Sequence, residues 1–241
     1  MNRLVIIPTY NESMNAPVLI DRIFKHIPEC SILVIDDGSP DGTADIVQSL
    51  QKEFSHLHLL KRSEKSGLGS AYRTGFAWGM ERGFDELIEM GADMSHRVRD
   101  LAKMMEVKKN QPHTSLIIGS RWIKGGKTEN WSMARKLLSR TANLYVRFML
   151  GMGVKDSTAG FRIYSSQILR QINLEAIKSE GYSFQIEMTR AVHQNRGSIV
   201  EVPITFRERE QGVSKMSKKI VREAMTLVTI WGMGRIYRRK F

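Results

Sequence analysis

Between Arg3 and Trp122 the chain alternates five short, nearly continuous apolar runs, RLVIIPTY, SILVIDDG, HLHLLKR, DELIEMG and TSLIIGSRW, with four segments of helical length. Runs of β-branched and aliphatic residues without polar alternation suit strands covered on both faces, the condition of parallel sheets. The helical segments are Ala16 to His26, Thr43 to Phe54, Gly69 to Arg82 and Val98 to Lys109, with Asp41 in SPDGTADIVQSL as a helix-start signal after a turn. The order βαβαβαβαβ predicts a doubly wound α/β sheet, mostly parallel and flanked by helices.

Sheets of this kind bind ligands outside the carboxyl ends of their strands, and the unusual residues fall at those ends. The first strand delivers Pro8, Thr9, Tyr10, Asn11 and Glu12; the second delivers Asp36 and Asp37. The third leads to Arg62, Lys65 and the Gly67 and Gly69 turn, and the fourth to Asp93. Each stretch alone reads as turn chemistry; their joint placement points to one cleft. GLGSAYRTG lacks the spacing of a dinucleotide loop, no GxxxxGK[ST] or GxSxG occurs, and no Cys/His spacing suits a metal, so dehydrogenase, P-loop and esterase readings are disfavoured. His96 is read as a structural hydrogen-bonder.

A chain of 241 residues with 41% hydrophobic content fits one large domain with a sizeable core. The single Cys30, with no leader-like start, leads us to expect a cytoplasmic protein. The longest apolar run, AMTLVTIWGM, is about half the ~20 residues that cross a bilayer. The formal charge of +12 is concentrated in the tail, where Arg207 to Phe241 holds ten Lys/Arg against three Glu. Such a patch suits a polyanion: an anionic membrane surface, a phosphorylated substrate or nucleic acid, the last disfavoured because no reading motif accompanies it.

The stretches VIIPTYNE, LVIDDGSPDGT, GLGSAYRTGF, IIGSRW and DSTAGFRIY, with the Asp93 segment, together resemble the family 2 glycosyltransferases of GT-A (Rossmann-like) fold. GSRW, NWSMARKLLSRTANL and VPITFREREQGVSKM look most like the branch acting on dolichyl or polyprenyl phosphate, the mannose synthases. The resemblance spans about residues 3 to 216. It implies an inverting transfer of a sugar, mannose from GDP-mannose, to a polyprenyl phosphate, with a divalent metal, Mg²⁺ or Mn²⁺. It implies that Pro8, Tyr10, Glu12, Asp36, Asp37 and Lys65 hold the nucleotide, and that Asp93 binds the metal as the last acid of the family's Asp-x-Asp signature. The first acid of that signature is here Gly91. Arg121, Arg135, Ser139, Arg209 and Lys215 match the acceptor-phosphate positions, and Asp156 the acid that faces the sugar, which puts Asp93, Asp156, Arg121 and Arg135 at the chemistry. Two alternatives stay open: a catalytically weak GT-A subunit that binds nucleotide sugar or a partner, prompted by Gly91, and a transferase using UDP-glucose or a soluble acceptor.

Three further segments complete the expectations. SRTANLYVRFMLGMGV carries Leu144, Val146, Phe148, Met149 and Leu150 among basic residues, a stripe that either packs in the core or guides a lipid. IKGGKTEN, from Ile123 to Asn130, reads as a mobile loop. The chain divides into a catalytic unit, residues 1–216, and a basic amphipathic C-terminal helix, residues 217–241, docked on its own domain, on a membrane partner subunit, or on a membrane surface, placing the protein peripherally at the cytoplasmic face.

Overall fold

The computed structural model describes residues 2–208 and the backbone of 218–238, with side chains of that last stretch described from Arg222 to Arg235. The first half follows the expected alternation: β1 (Arg3–Thr9), α1 (Ala16–His26), β2 (Ser31–Asp36), α2 (Thr43–Leu50), β3 (Leu57–Lys61), α3 (Leu68–Glu81), β4 (Glu86–Glu89), α4 (Val98–Asn110) and β5 (Leu116–Ser120). The second half adds β6 (Lys127–Glu129), α5 (Met133–Leu150), β7 (Arg162–Ser165), α6 (Ser166–Gln171), α7 (Gly181–Gln194), β8 (Ile199–Pro203), β9 (Thr205–Arg207) and α8 (Lys218–Arg238).

The main sheet has the order β3-β2-β1-β4-β7-β5-β8. Only β7 runs antiparallel, inserted between β4 and β5, so the carboxyl ends of β1 to β5 share one edge. Alternation along each strand builds two cores. Val5, Ile7, Ile32 and Val34 meet Leu19, Ile20, Ile23 and Leu101 of α1 and α4 on one face. Leu4, Ile6, Leu33 and Ile35 meet Tyr72, Phe76, Phe184 and Met188 of α3 and α7 on the other. Both faces are dry, which is why these strands read as unbroken apolar runs.

One expectation changes, and one that stood open is narrowed. The Ile123–Asn130 segment is not simply a loop: its second half is β6, paired in parallel with β9, and Glu129 accepts from Arg97 (2.5 Å) and Arg207 (3.1 Å). A backbone ladder and two ion pairs fix what the paired glycines suggested would move. The C-terminal helix exists, but it docks on its own domain, where Val228 joins Val146, Leu150 and Ile186 in a third small core, and Tyr145 and Thr229 share a 2.6 Å hydrogen bond. Gly232 permits that close approach, since a Cβ there would lie 2.6 Å from the Met149 methyl. No helix among the described residues is long and apolar enough to cross a membrane.

Candidate active site

The shared strand edge opens into a cleft of about 400 Å³. Pro8, Tyr10 and Glu12 line it from the end of β1, Asp93 from the loop after β4, Arg121 from the end of β5, and Arg135 from the first turn of α5. Of the four strand tips expected to converge, those of β1 and β4 line the cleft, with Leu68 following β3, while β5 and α5 complete it and the residues after β2 do not reach it. Lys65 stands over the Tyr10 ring at 4.0 Å, placing a cation at the same rim.

Asp36 and Asp37 are placed differently. Asp36 is buried and accepts from Thr9 Oγ1 (2.9 Å), Ser39 N (2.9 Å) and Ser39 Oγ (2.6 Å), tying the β1 and β2 loops together. Asp37 holds Arg62 in a fork, with Nε at 2.7 Å and Nη2 at 2.8 Å, and does not line the cavity. Its backbone N–H donates to Thr9 O, so it lies directly behind the Pro8–Tyr10 wall.

The glycine-rich turn at Gly67 to Ser70 does not cradle a ligand, because its helix-start amides are already taken. Gly69 N and Ser70 N donate to the Glu180 carboxylate at 2.6 and 3.0 Å. Gly67 has φ +95°, and a Cβ there would sit 2.4 Å from that carboxylate, so glycine is required to seat α3 against the α7 entrance.

Asp93 Oδ1 accepts from Ser95 N (3.2 Å) and Ser95 Oγ (2.6 Å), which fixes the carboxylate on the cleft wall. His96 Nδ1 accepts from Gly91 N at 3.1 Å and the ring stacks on Phe161 at 4.6 Å. In that tautomer Nε2 carries the ring proton, so His96 braces the loop and is not a metal ligand. No group of three or more His, Cys, Asp or Glu side chains gathers as a metal cluster among the described residues. A hard oxygen donor with a side-chain-free position beside it still fits a divalent cation, provided that the other ligands are phosphate oxygens and water.

The far wall is basic. Arg121 is 5% exposed and Asp156 fully buried; Nε and Nη2 of Arg121 donate to the two Asp156 oxygens at 2.7 and 2.6 Å, and its backbone N–H donates at 2.9 Å. Burial works to lower the Arg121 pKa, but the Asp156 charge and these hydrogen bonds outweigh it and leave it raised. Asp156 spends both oxygens on Arg121 and lies outside the cleft lining, so the structure makes it a positioning residue for the guanidinium instead of a group facing a sugar. Arg135 lies over the Trp131 ring at 4.0 Å and pairs with Glu208, while its Nε is buried without a partner.

On the far side of these two arginines lies an apolar cavity of about 50 Å³ between α5, α7 and α8. Ser139 stands on its wall with Leu138, Ala142, Val146, Ile186 and Ala224, and Arg121, Trp131, Arg135 and Tyr182 are common to both spaces. Arg209 and Lys215 lie outside the described residues. The cleft also contains Tyr182 and Gln185, which sequence reasoning missed. The available signal was polar Ser183, Gln185 and Thr189 on the buried face of α7.

Behind Gln185 of the cleft wall, and outside the lining, lies Glu89. It is fully buried, accepts from Gln185 Nε2 at 2.8 Å, and burial lifts its pKa to about 7 against the opposing pull of Arg162 and Gln185.

The model of the family described as Glycosyl transferase family 2 matches residues 4–173. A polyprenol monophosphomannose synthase of Mycolicibacterium smegmatis is 47% identical over 239 residues, covering 98% of this chain and 89% of the relative. An undecaprenyl-phosphate mannosyltransferase of Micrococcus luteus is 48% identical over 234 residues, covering 97% and 95%. Among solved structures, a glucosyl-3-phosphoglycerate synthase from Mycobacterium tuberculosis in complex with phosphoglyceric acid superposes with a TM-score of 0.73 at 16% identity, covering 95% of this chain and 79% of that one. The same enzyme in complex with Mn²⁺, UDP-glucose and phosphoglyceric acid gives 0.72 at 16%, covering 97% and 80%. At that identity the likeness is one of fold, the GT-A arrangement.

Proposed function

The chain belongs to glycosyl transferase family 2 and is a glycosyltransferase, and from that premise we propose that it transfers mannose from GDP-mannose to the phosphate of a polyprenol at the cytoplasmic face of a membrane. The observation that carries the proposal is the shared wall at Arg121 and Arg135, on one side of which lies a cleft bearing the charged groups Asp93 and Glu12 and on the other an almost wholly apolar cavity. A substrate with a phosphate head and a hydrocarbon tail matches that change of polarity. The names of both relatives near 47% identity support the same sugar and acceptor class.

The nucleotide end lies against Pro8, Tyr10 and Glu12, with Lys65 on the rim and Asp36 and Asp37 shaping the wall from behind. Asp93 would hold a divalent cation together with the donor diphosphate; when bound, the cation neutralises charge developing on the departing nucleotide. The acceptor phosphate needs no general base, since its second pKa near ~6 leaves it largely dianionic at neutral pH. Arg121 and Arg135 grip it, with Ser139, Arg209 and Lys215 as further contacts. Guanidinium groups suit phosphate, and because Asp156 takes the Nε–Nη2 fork of Arg121 and Thr158 a further Nη2 bond, it is the Nη1 side of Arg121 that would meet the acceptor. A phosphate oxygen bonds to the anomeric carbon as the bond to the donor diphosphate breaks, its electron pair leaving with the nucleotide and the configuration inverting. In this division residues 1–216 do the chemistry and 217–241 help seat the protein at the bilayer.

Gly91 favours a second reading, a catalytically weak GT-A subunit that chiefly binds nucleotide sugar. A calorimetric screen of GDP-mannose and UDP-glucose, with and without Mg²⁺ or Mn²⁺, followed by transfer to a polyprenyl phosphate, separates the readings. Metal-dependent GDP-mannose binding with transfer supports the first. Binding without transfer, with transfer gained in Gly91→Asp, establishes the second, and exclusive UDP-glucose binding overturns the donor assignment.

A further inference from the structure

The inner side of α5 is buried through Asn143, Val146 and Leu150, yet its outer side is also apolar. Met133, Leu137, Leu144 and Phe148 are 76, 65, 65 and 80% exposed. At about 100° per residue these four positions fall within roughly 60° of one another, a single stripe along a helix about 27 Å long. Lys136, Arg140 and Arg147 lie along the edge of that stripe, and α5 contains no acidic residue. The neighbouring α8 adds exposed Ile230 and Met233. Scattered apolar residues are ordinary at a surface, but an aligned row with cations along one edge and no acidic residue on its helix is not.

We propose that the outer face of α5 is the surface that seats this protein on an anionic lipid bilayer, with the tail helix α8 contributing at its margin. Two observations select lipid over a protein partner. The charge is of one sign, matching anionic headgroups. The cavity also reaches the surface of the same helix, because Leu138, next to Leu137 of the stripe, both lines that cavity and is 44% exposed. This rests on the reading of the acceptor as a lipid phosphate: a hydrocarbon tail leaving the cavity past Leu138 emerges on the α5 face, which therefore meets the membrane holding the rest of the tail. The helix then lies in the interfacial plane with Leu144 and Phe148 inserted and the basic edge at headgroup level.

The test is co-sedimentation of the full chain with vesicles of phosphatidylcholine, with and without phosphatidylglycerol and free of any polyprenyl phosphate. The proposal expects binding to the anionic vesicles that weakens with salt and falls by about tenfold or more in Leu144→Ser/Phe148→Ser. Transfer to a short-chain, water-soluble prenyl phosphate should be unchanged in that variant, showing that it is folded. Unchanged vesicle binding in the variant, or none in the parent, overturns the proposal even if soluble transfer proceeds. Self-association of the parent without vesicles, lost in the variant, overturns it in favour of a second copy. Stripe-dependent vesicle binding with no transfer to any prenyl phosphate leaves the surface standing and removes the functional reading instead.

Discussion

Replacing Asp156 by Asn separates a buried positioning carboxylate from one that meets the sugar. Arg121 is 5% exposed and Asp156 is fully buried, and the carboxylate accepts from the arginine backbone N–H, Nε and Nη2 at 2.9, 2.7 and 2.6 Å. An amide of the same shape offers one oxygen and turns an NH₂ toward a guanidinium that cannot give up its proton. Removing one partner of a buried ion pair costs about 3–5 kcal/mol, because the remaining charge is left desolvated. For a chain of this size each kcal/mol moves Tm by about 2–4 °C, so a loss on the order of 6–20 °C is expected. Thermal and urea unfolding at neutral pH measure it. Arg121→Met added to Asp156→Asn should recover part of the loss, since the orphaned charge is then gone. A change below about 1 kcal/mol in Asp156→Asn would refute the reasoning and return the carboxylate to the cleft.

Three further outcomes follow from the same geometry. Glu89 has its pKa raised from 4.5 to about 7, so its contribution to stability is fully present below pH 4.5 and is lost as pH rises to about 7, a swing of about 3 kcal/mol; urea unfolding across that window should show Glu89→Gln flattening the profile, and a parallel profile would contradict the assignment. At Gly91 an added Cβ would lie 3.3 Å from Asp93 Oδ1 and 3.7 Å from His96 Nδ1, so Gly91→Asp should fold after a small shift of the Asp93 carboxylate. Calorimetry should then find metal-dependent donor binding tightened; weakened binding would speak against a cation at Asp93. Arg135→Ala should leave donor affinity intact and slow transfer to polyprenyl phosphate by about 10- to 100-fold, the worth of a charge-assisted hydrogen bond; an unchanged rate removes Arg135 from the acceptor site.

The strands β1, β2, β4 and β5 were legible because burial on both faces leaves runs of Ile, Leu and Val with little else to signify, and the half-buried edge strand β3 was the weaker signal. The cleft was legible at Tyr10, Glu12, Asp93 and Arg121 because the strand order sends all their loops to one edge. β7 was not foreseen as an insertion, since a four-residue strand carries no sign of which distant strands it will enter between. Partner choice was equally hidden. Asp37 meets Arg62 across 25 positions and Asp156 meets Arg121 across 35, and nothing local distinguishes a carboxylate that finds an arginine from one left facing a ligand. The α5 stripe was ambiguous for another reason: 3.6-residue spacing marks an apolar face without saying whether protein covers it, and here Val146 and Leu150 turn inward while Leu144 and Phe148 turn outward.

The most direct test of the central claim is mannosyl transfer from labelled GDP-mannose to polyprenyl phosphate by the purified chain, with Mg²⁺ or Mn²⁺, beside the Asp93→Ala variant. A metal-dependent mannosyl-phosphate lipid made by the parent and lost with Asp93 is the expected result. Equal product from Asp93→Ala, or product undiminished by a chelator, would contradict the account.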